Sequence, residues 1–162
     1  MTDIRFSPIG IIHTPFEDLK GMPIQPSGAK DVKGTIEVFT EYEQGLNDIE
    51  GFSHLILLYH FNKSTGFDLM VTPFLDREKR GVFSTRAPRR PNPIGLSIVE
   101  VLGREKNRVF IRGIDVLNQT PLLDIKPYVP KFDIKEVTAS GWLEKTQKDS
   151  VSMKSDDRFI EK

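Results

Sequence analysis

The chain has no cysteine among its 162 residues. That excludes a disulfide scaffold, a thiolate metal site and a cysteine nucleophile, and it fits a reducing compartment. Charge of one sign is missing as well: 23 basic side chains face 23 acidic ones. The molecule as a whole is therefore not a trap for polyanions, and any nucleic-acid contact must come from a local patch. Long hydrophobic runs are absent. The most apolar stretch, Leu55–Tyr59, falls far short of the ~20 residues needed to cross a bilayer. The opening MTDIRFSPIG lacks the cationic start and apolar segment of a signal peptide. A soluble, cytoplasmic protein with no membrane partner is expected.

Several catalytic signatures are missing too. There is no GxGxxG dinucleotide fingerprint and no GxxxxGK[ST] phosphate loop, so the glycine-rich strand–helix turn of most nucleotide-cofactor enzymes is not present. Neither HExxH nor HxE…PCxxC occurs, which removes support for zinc protease or zinc deaminase chemistry. The three histidines, His13, His54 and His60, are too few and too scattered for a metal site, and none is expected. His54 and His60 are separated by an even number of residues, so a strand would point both to one face. Two polar residues at the rim of a core strand is one reading of them, and catalytic groups is another.

Eleven prolines and twelve glycines divide the chain into short pieces. Gly34–Phe39 alternates Ile36 and Val38 with Thr35 and Glu37, the pattern of a half-buried strand. Leu55–Phe61 reads as a central strand. Gly95–Leu102 and Val109–Gly113 flank a turn at Lys106-Asn107 and read as a hairpin. Ile4–His13 and Ser140–Leu143 are expected to be further strands, with helical turns over Thr40–Gly51 and near Ser155–Ile160. Many short strands with frequent turns predict a mainly β sandwich or barrel over residues 1–145, followed by a polar tail at 146–162.

Two segments carry chemistry. Between Arg77 and Arg90 lie six basic residues, including Arg80, Arg86, Arg89 and Arg90, against one acid, Glu78. Such a run is either a solvated loop or an anion-facing surface. Three prolines and a glycine turn stiffen it, and a stiff basic loop loses less ordering entropy on binding phosphate. In the second segment, Asp124, Lys126 and Tyr128 alternate along an apparent strand and should share one face. An acid, a base and a phenol on one surface make either a site wall or a solvent-facing edge strand.

The run Gly81-Val82-Phe83-Ser84-Thr85-Arg86-Ala87-Pro88-Arg89-Arg90-Pro91-Asn92-Pro93-Ile94-Gly95-Leu96-Ser97 resembles the signature of the TrmO-type tRNA methyltransferases. Pro8-Ile9-Gly10, Glu50-Gly51-Phe52-Ser53-His54-Leu55 and Thr120-Pro121-Leu122-Leu123-Asp124-Ile125-Lys126-Pro127-Tyr128 resemble three more of its stretches. The likeness runs over roughly residues 5 to 145. Pro23-Ile24-Gln25 and Leu117-Asn118-Gln119 depart from the bacterial pattern, and the chain ends at Lys162 without the carboxy-terminal extension common in bacterial members.

The resemblance implies a non-Rossmann methyltransferase: a single β-barrel domain with short helical segments, a homodimer using S-adenosylmethionine. Its implied substrate is N6 of N6-threonylcarbamoyladenosine beside the tRNA anticodon. Such a nitrogen is a weak nucleophile, so a base is required, with Asp124, His54 and His60 as candidates and Asp124 favoured because Lys126 can orient it. The cofactor would be held by Arg86 on its carboxylate, by Phe83, Pro93, Ile94 and Leu96 around its adenine, and by Lys126 and Tyr128 near the donor group. Arg80, Arg89 and Arg90 would contact tRNA, and Arg86 equally suits a tRNA phosphate. Two other readings stay open: a methyltransferase of the same fold acting on a small molecule or another RNA, and a non-catalytic barrel that binds RNA or a nucleotide.

Overall fold

The computed structural model describes residues 3–145 apart from 19, 21 and 23–25. The polar tail at 146–162 and the helical turn near Ser155–Ile160 lie outside the described residues, as does Pro23-Ile24-Gln25.

Six strands close into an antiparallel barrel. In chain order they are β1 (Gly10–His13), β2 (Lys33–Val38), β3 (His54–His60), β6 (Ile94–Glu105), β7 (Arg108–Arg112) and β8 (Thr120–Pro127). Around the barrel they run β1-β2-β7-β6-β3-β8, with β8 returning to β1. Closure pairs the edge that an open sheet would expose. Two further short strands, β4 (Met70–Val71) and β5 (Arg80–Gly81), form a separate ribbon.

The alternating sequence explains which side chains fill the barrel. Ile36 and Val38 of β2, Leu55, Leu57 and Tyr59 of β3, and Val99 of β6 point inward and are buried, joined by Val109, Ile111 and Leu122. The expected hairpin forms between β6 and β7. Lys106 adopts a left-handed φ of 53° at its tip, and the Asn107 side-chain amide donates to the Val38 carbonyl at 2.7 Å. Thr40–Leu46 and Ile49–Gly51 are 3-10 turns that link the end of β2 to the start of β3, and Leu46 and Ile49 enter the core.

Two expected strands are corrected. Only Gly10–His13 of the Ile4–His13 segment is a strand. Pro8 carries no N–H for a ladder, and Ile4 and Phe6 ahead of it remain exposed. The expected strand at Ser140–Leu143 is instead a 3-10 turn over Gly141–Lys145. Gly141 has a φ of 58°, which bends the chain out of extended geometry, and the Glu144 carboxylate accepts from the Ser140 N–H at 2.8 Å.

Gly10 marks a close approach of β1 to β2. A Cβ there would overlap the Glu37 carbonyl oxygen and lie 2.9 Å from the Val38 Cα, and both obstacles are backbone of the paired strand. Gly10→Ala is expected to lower the unfolding free energy by about 2 kcal/mol. Gly45→Ala, which meets open space, should leave it unchanged. Urea unfolding midpoints of the two variants check this, and equal midpoints would mean the seam is looser than described.

Candidate functional site

The outer wall formed by β8, β3 and β6 collects most of the chemistry-bearing residues. Across the β3–β6 ladder His54 faces Glu100, Ile56 faces Ile98, Leu58 faces Leu96 and His60 faces Ile94. Across the β3–β8 ladder Ile56 faces Lys126 and Leu58 faces Asp124. His54, His60, Ile94, Leu96, Asp124 and Lys126 thus share one surface. Ile94, Leu96 and Ile98 form an exposed apolar strip along it. At one end of this wall the Arg112 guanidinium forks onto both Glu100 carboxylate oxygens at 2.8 Å, holding that carboxyl below its usual range.

Asp124 reaches this outer wall because of a β-bulge. The register shifts so that Leu58 pairs with Asp124 while the next residue, Tyr59, pairs with Leu122, leaving Leu123 as the extra residue. Without that insertion Asp124 would share the inward parity of Leu122. With it, Leu122 and Ile125 both pack into the core and Asp124 stays out. The carboxylate is then fixed on both sides: one oxygen lies 2.7 Å from the Lys126 Nζ, and the other accepts the Ile125 N–H at 2.9 Å. Tyr128 lies just past the end of β8. It is anchored by its N–H on the His54 carbonyl at 3.0 Å and meets the His54 ring edge-on, with centroids 6.3 Å apart. The Ser53 hydroxyl sits 2.9 Å from the His54 Nδ1.

A cavity of about 330 Å³ opens beside this wall. Its origin is a mismatch in strand length. β1 pairs β8 only from Thr120 to Leu122, while β8 continues to Pro127. The seam beyond is covered by the 3-10 turns instead of a strand. Ile9, Leu46, Phe52 and Leu55 supply apolar walls, and Asn47 and Asp124 the polar groups. The volume is at the small end for small-ligand sites. Its walls are mostly apolar, which suits a flat apolar ring better than a charged group.

The basic loop is folded on itself. Arg80 pairs with Asp76 at 2.7 Å and Glu78 at 2.9 Å and lies over the Trp142 ring. Arg89 pairs with Asp68 at 3.2 Å. Arg90 donates to the Thr85 and Ala87 carbonyls. These contacts give three residues assigned to tRNA a role in shaping the loop. Arg86 is exposed on the same loop. Phe83 is exposed in the 3-10 turn Val82–Ser84 that follows β5, and the Pro93 carbonyl accepts the Phe61 N–H where the loop rejoins the barrel. None of Phe83, Pro93, Ile94 and Leu96 lines the cavity.

One polar group escaped the sequence reading. Inside the barrel Tyr59 donates to the Ser97 hydroxyl at 3.0 Å, and Ser97 donates to the Asp115 carboxylate at 2.7 Å. Burial pushes the Asp115 carboxyl up to about 6, against the pull of the Ser97 hydrogen bond and the Arg86 charge. Burial also raises the Tyr59 phenol. The tyrosine needs Gly95: a Cβ there would overlap its ring and come within 2.8 Å of Phe61. The only sequence signal was an inward-parity serine at 97, which acquires meaning once the register is known. Among the described residues no group of His, Asp and Glu has the arrangement to hold a metal, and no helix is long and apolar enough to cross a membrane.

Six antiparallel strands closed into a barrel, with a lysine-paired carboxylate on the outer wall, define a mainly β, non-Rossmann fold. Comparison gives that fold its family. Residues 11–134 match the tRNA-methyltransferase O N-terminal domain. A Pyrococcus abyssi protein described as a probable S-adenosyl-L-methionine-binding protein is 54% identical over 157 residues, 97% of this chain and 85% of that one. A human tRNA (adenine(37)-N6)-methyltransferase is 35% identical over 133 residues, 78% of this chain and 30% of its own. The crystal structure of TrmO from Pseudomonas aeruginosa superposes with a TM-score of 0.73 at 36% identity, covering 87% of this chain and 63% of that one. The chain belongs to the TrmO methyltransferase family.

Proposed function

We propose that the chain transfers the methyl group of S-adenosylmethionine to N6 of N6-threonylcarbamoyladenosine beside the tRNA anticodon. The observation that carries this reading is the Asp124 carboxylate, fixed on the outer wall by Lys126 and by its own strand, with the residue also bordering an apolar cavity. The names of the archaeal and mammalian relatives support the cofactor and the tRNA substrate respectively. The acceptor nitrogen is delocalised into a carbonyl, so its proton must leave as the methyl arrives. Asp124 takes that proton, Lys126 holds the carboxylate in place, and Tyr128 and His54 border the approach. The cofactor supplies an electrophilic methyl on a sulfonium. The remaining rate enhancement comes from holding donor and acceptor in line.

The working form is a homodimer. The exposed strip of Ile94, Leu96 and Ile98 lies on a convex wall, and a second copy laid over it turns that wall into one side of a closed site. Incubation of the protein with S-adenosylmethionine and tRNA, followed by nucleoside mass spectrometry, tests the reading. One added methyl on threonylcarbamoyladenosine is expected, with none on tRNA lacking that group. Methylation of unmodified adenosine, or cofactor binding without transfer, would replace it with one of the other readings.

A further inference from the structure

The ribbon outside the barrel carries a cluster of exposed apolar side chains. Phe83 is 74% exposed, Phe67 56%, Leu69 59% and Met70 55%, all within two short stretches. These stretches are tied together: Met70 pairs with Gly81, and the Val82 N–H bonds the Leu69 carbonyl at 2.9 Å. Residues 63–90 also hold seven basic side chains against three acidic ones, in a chain whose total charge is zero. All three acids are already neutralised, Asp76 and Glu78 by Arg80 and Asp68 by Arg89. Of the other five cations, Arg90 bonds backbone carbonyls and Arg86 acts on Asp115, which leaves Lys63, Arg77 and Lys79 without an acid.

We propose that the β4–β5 ribbon is a platform on which unpaired bases of an RNA strand stack, with Phe67 and Phe83 as the stacking faces and Arg77 and Lys79 on the phosphate backbone. This rests on the tRNA reading above. Flat apolar rings interleaved with uncompensated cations match the two parts of a single strand: its bases and its phosphates. The excess positive charge on this one segment favours a polyanion over a neutral protein partner. Rigidity supports the same occupant. The ribbon has its own small core of Val71, Val82 and Ala87, the Arg90 guanidinium bonds two loop carbonyls, and the Trp142 indole donates to the Ser84 carbonyl at 2.9 Å. Exposed aromatic side chains thus sit on a frame that is ordered before any partner arrives.

The test uses the full chain and a short fluorescent stem–loop RNA of anticodon-arm sequence with 2-aminopurine in its loop. Phe67→Ala and Phe83→Ala, both at exposed positions, are each expected to weaken binding about tenfold and relieve the fluorescence quenching that stacking causes, without changing the salt dependence. Arg77→Gln should retain the quenching and lower the slope of log affinity against log salt by about 1. Unchanged affinity and quenching in both phenylalanine variants would overturn the platform. So would a Phe83→Ala variant that loses S-adenosylmethionine affinity while binding RNA normally, because it would return Phe83 to the cofactor. A wild-type protein that binds no RNA removes the tRNA reading and the platform together; RNA binding indifferent to the phenylalanines removes the platform alone.

Discussion

Asp124→Asn is expected to lower the turnover of methyl transfer by about 10²–10⁴-fold, the usual contribution of a positioned base. The amide keeps the shape of the carboxylate and can still accept the Ile125 N–H, so the bulge that carries it should persist. What it loses is the capacity to take a proton and the ion pair to Lys126. Lys126→Met separates those two losses, because it leaves the carboxylate and removes only its partner. A base held by its lysine predicts a large fall in kcat for Asp124→Asn and a smaller one for Lys126→Met, with S-adenosylmethionine affinity similar in both. Calorimetric titration alongside kinetics reads the split. If Asp124→Asn weakens cofactor binding as much as it slows turnover, Asp124 is a hydrogen-bond acceptor for the cofactor, and the base must be sought at His54 or His60 on the same wall.

The elements that were legible in the sequence share one property: their sidedness is local. The alternation in Gly34–Phe39 and the Lys106-Asn107 turn determine strand and hairpin without knowledge of any partner, and β2, β6 and β7 appear where expected. The apolar run at Leu55–Phe61 was legible as a strand, and its apolar outer face is why it did not alternate. Features set by pairing were not legible. The bulge at Leu123 depends on how β8 meets β3, yet it decides which side of the wall Asp124 occupies. The cavity exists because β8 outruns β1, a difference of lengths between strands more than 100 positions apart. Asp115 was passed over because nothing near it in the chain announces Ser97, which lies 18 residues away and meets it only across the barrel. The basic run was legible as stiff, but its internal ion pairs, which take Arg80 and Arg89 partly out of circulation, required coordinates.

Asp115→Asn is expected to raise stability near neutral pH and to do so in a pH-dependent way. In the folded protein the carboxyl titrates at about 6, against 3.8 for an unburied aspartate. Well below pH 3.8 it is protonated in both states and costs nothing. Between the two values the unfolded chain releases the proton while the folded chain retains it, so raising the pH favours the unfolded state. Above about pH 6 the loss is complete and amounts to about 3 kcal/mol. Asparagine is neutral throughout, and its amide oxygen can still accept the Ser97 hydroxyl, keeping the link to Tyr59 intact. The variant should therefore match the wild type at about pH 3 and exceed it by about 2–3 kcal/mol at pH 7. The comparison must be between the two proteins at each pH, because Asp76 and Glu100, held below their usual ranges by Arg80 and Arg112, impose the opposite trend on both. Denaturant unfolding across this window decides the matter: a constant difference between the curves would show that Asp115 does not titrate there. This half-buried carboxylate weakens the fold at neutral pH and lies within the field of Arg86. Loss of cofactor affinity in the stabilised variant would then place Asp115 with Arg86 in the binding of S-adenosylmethionine.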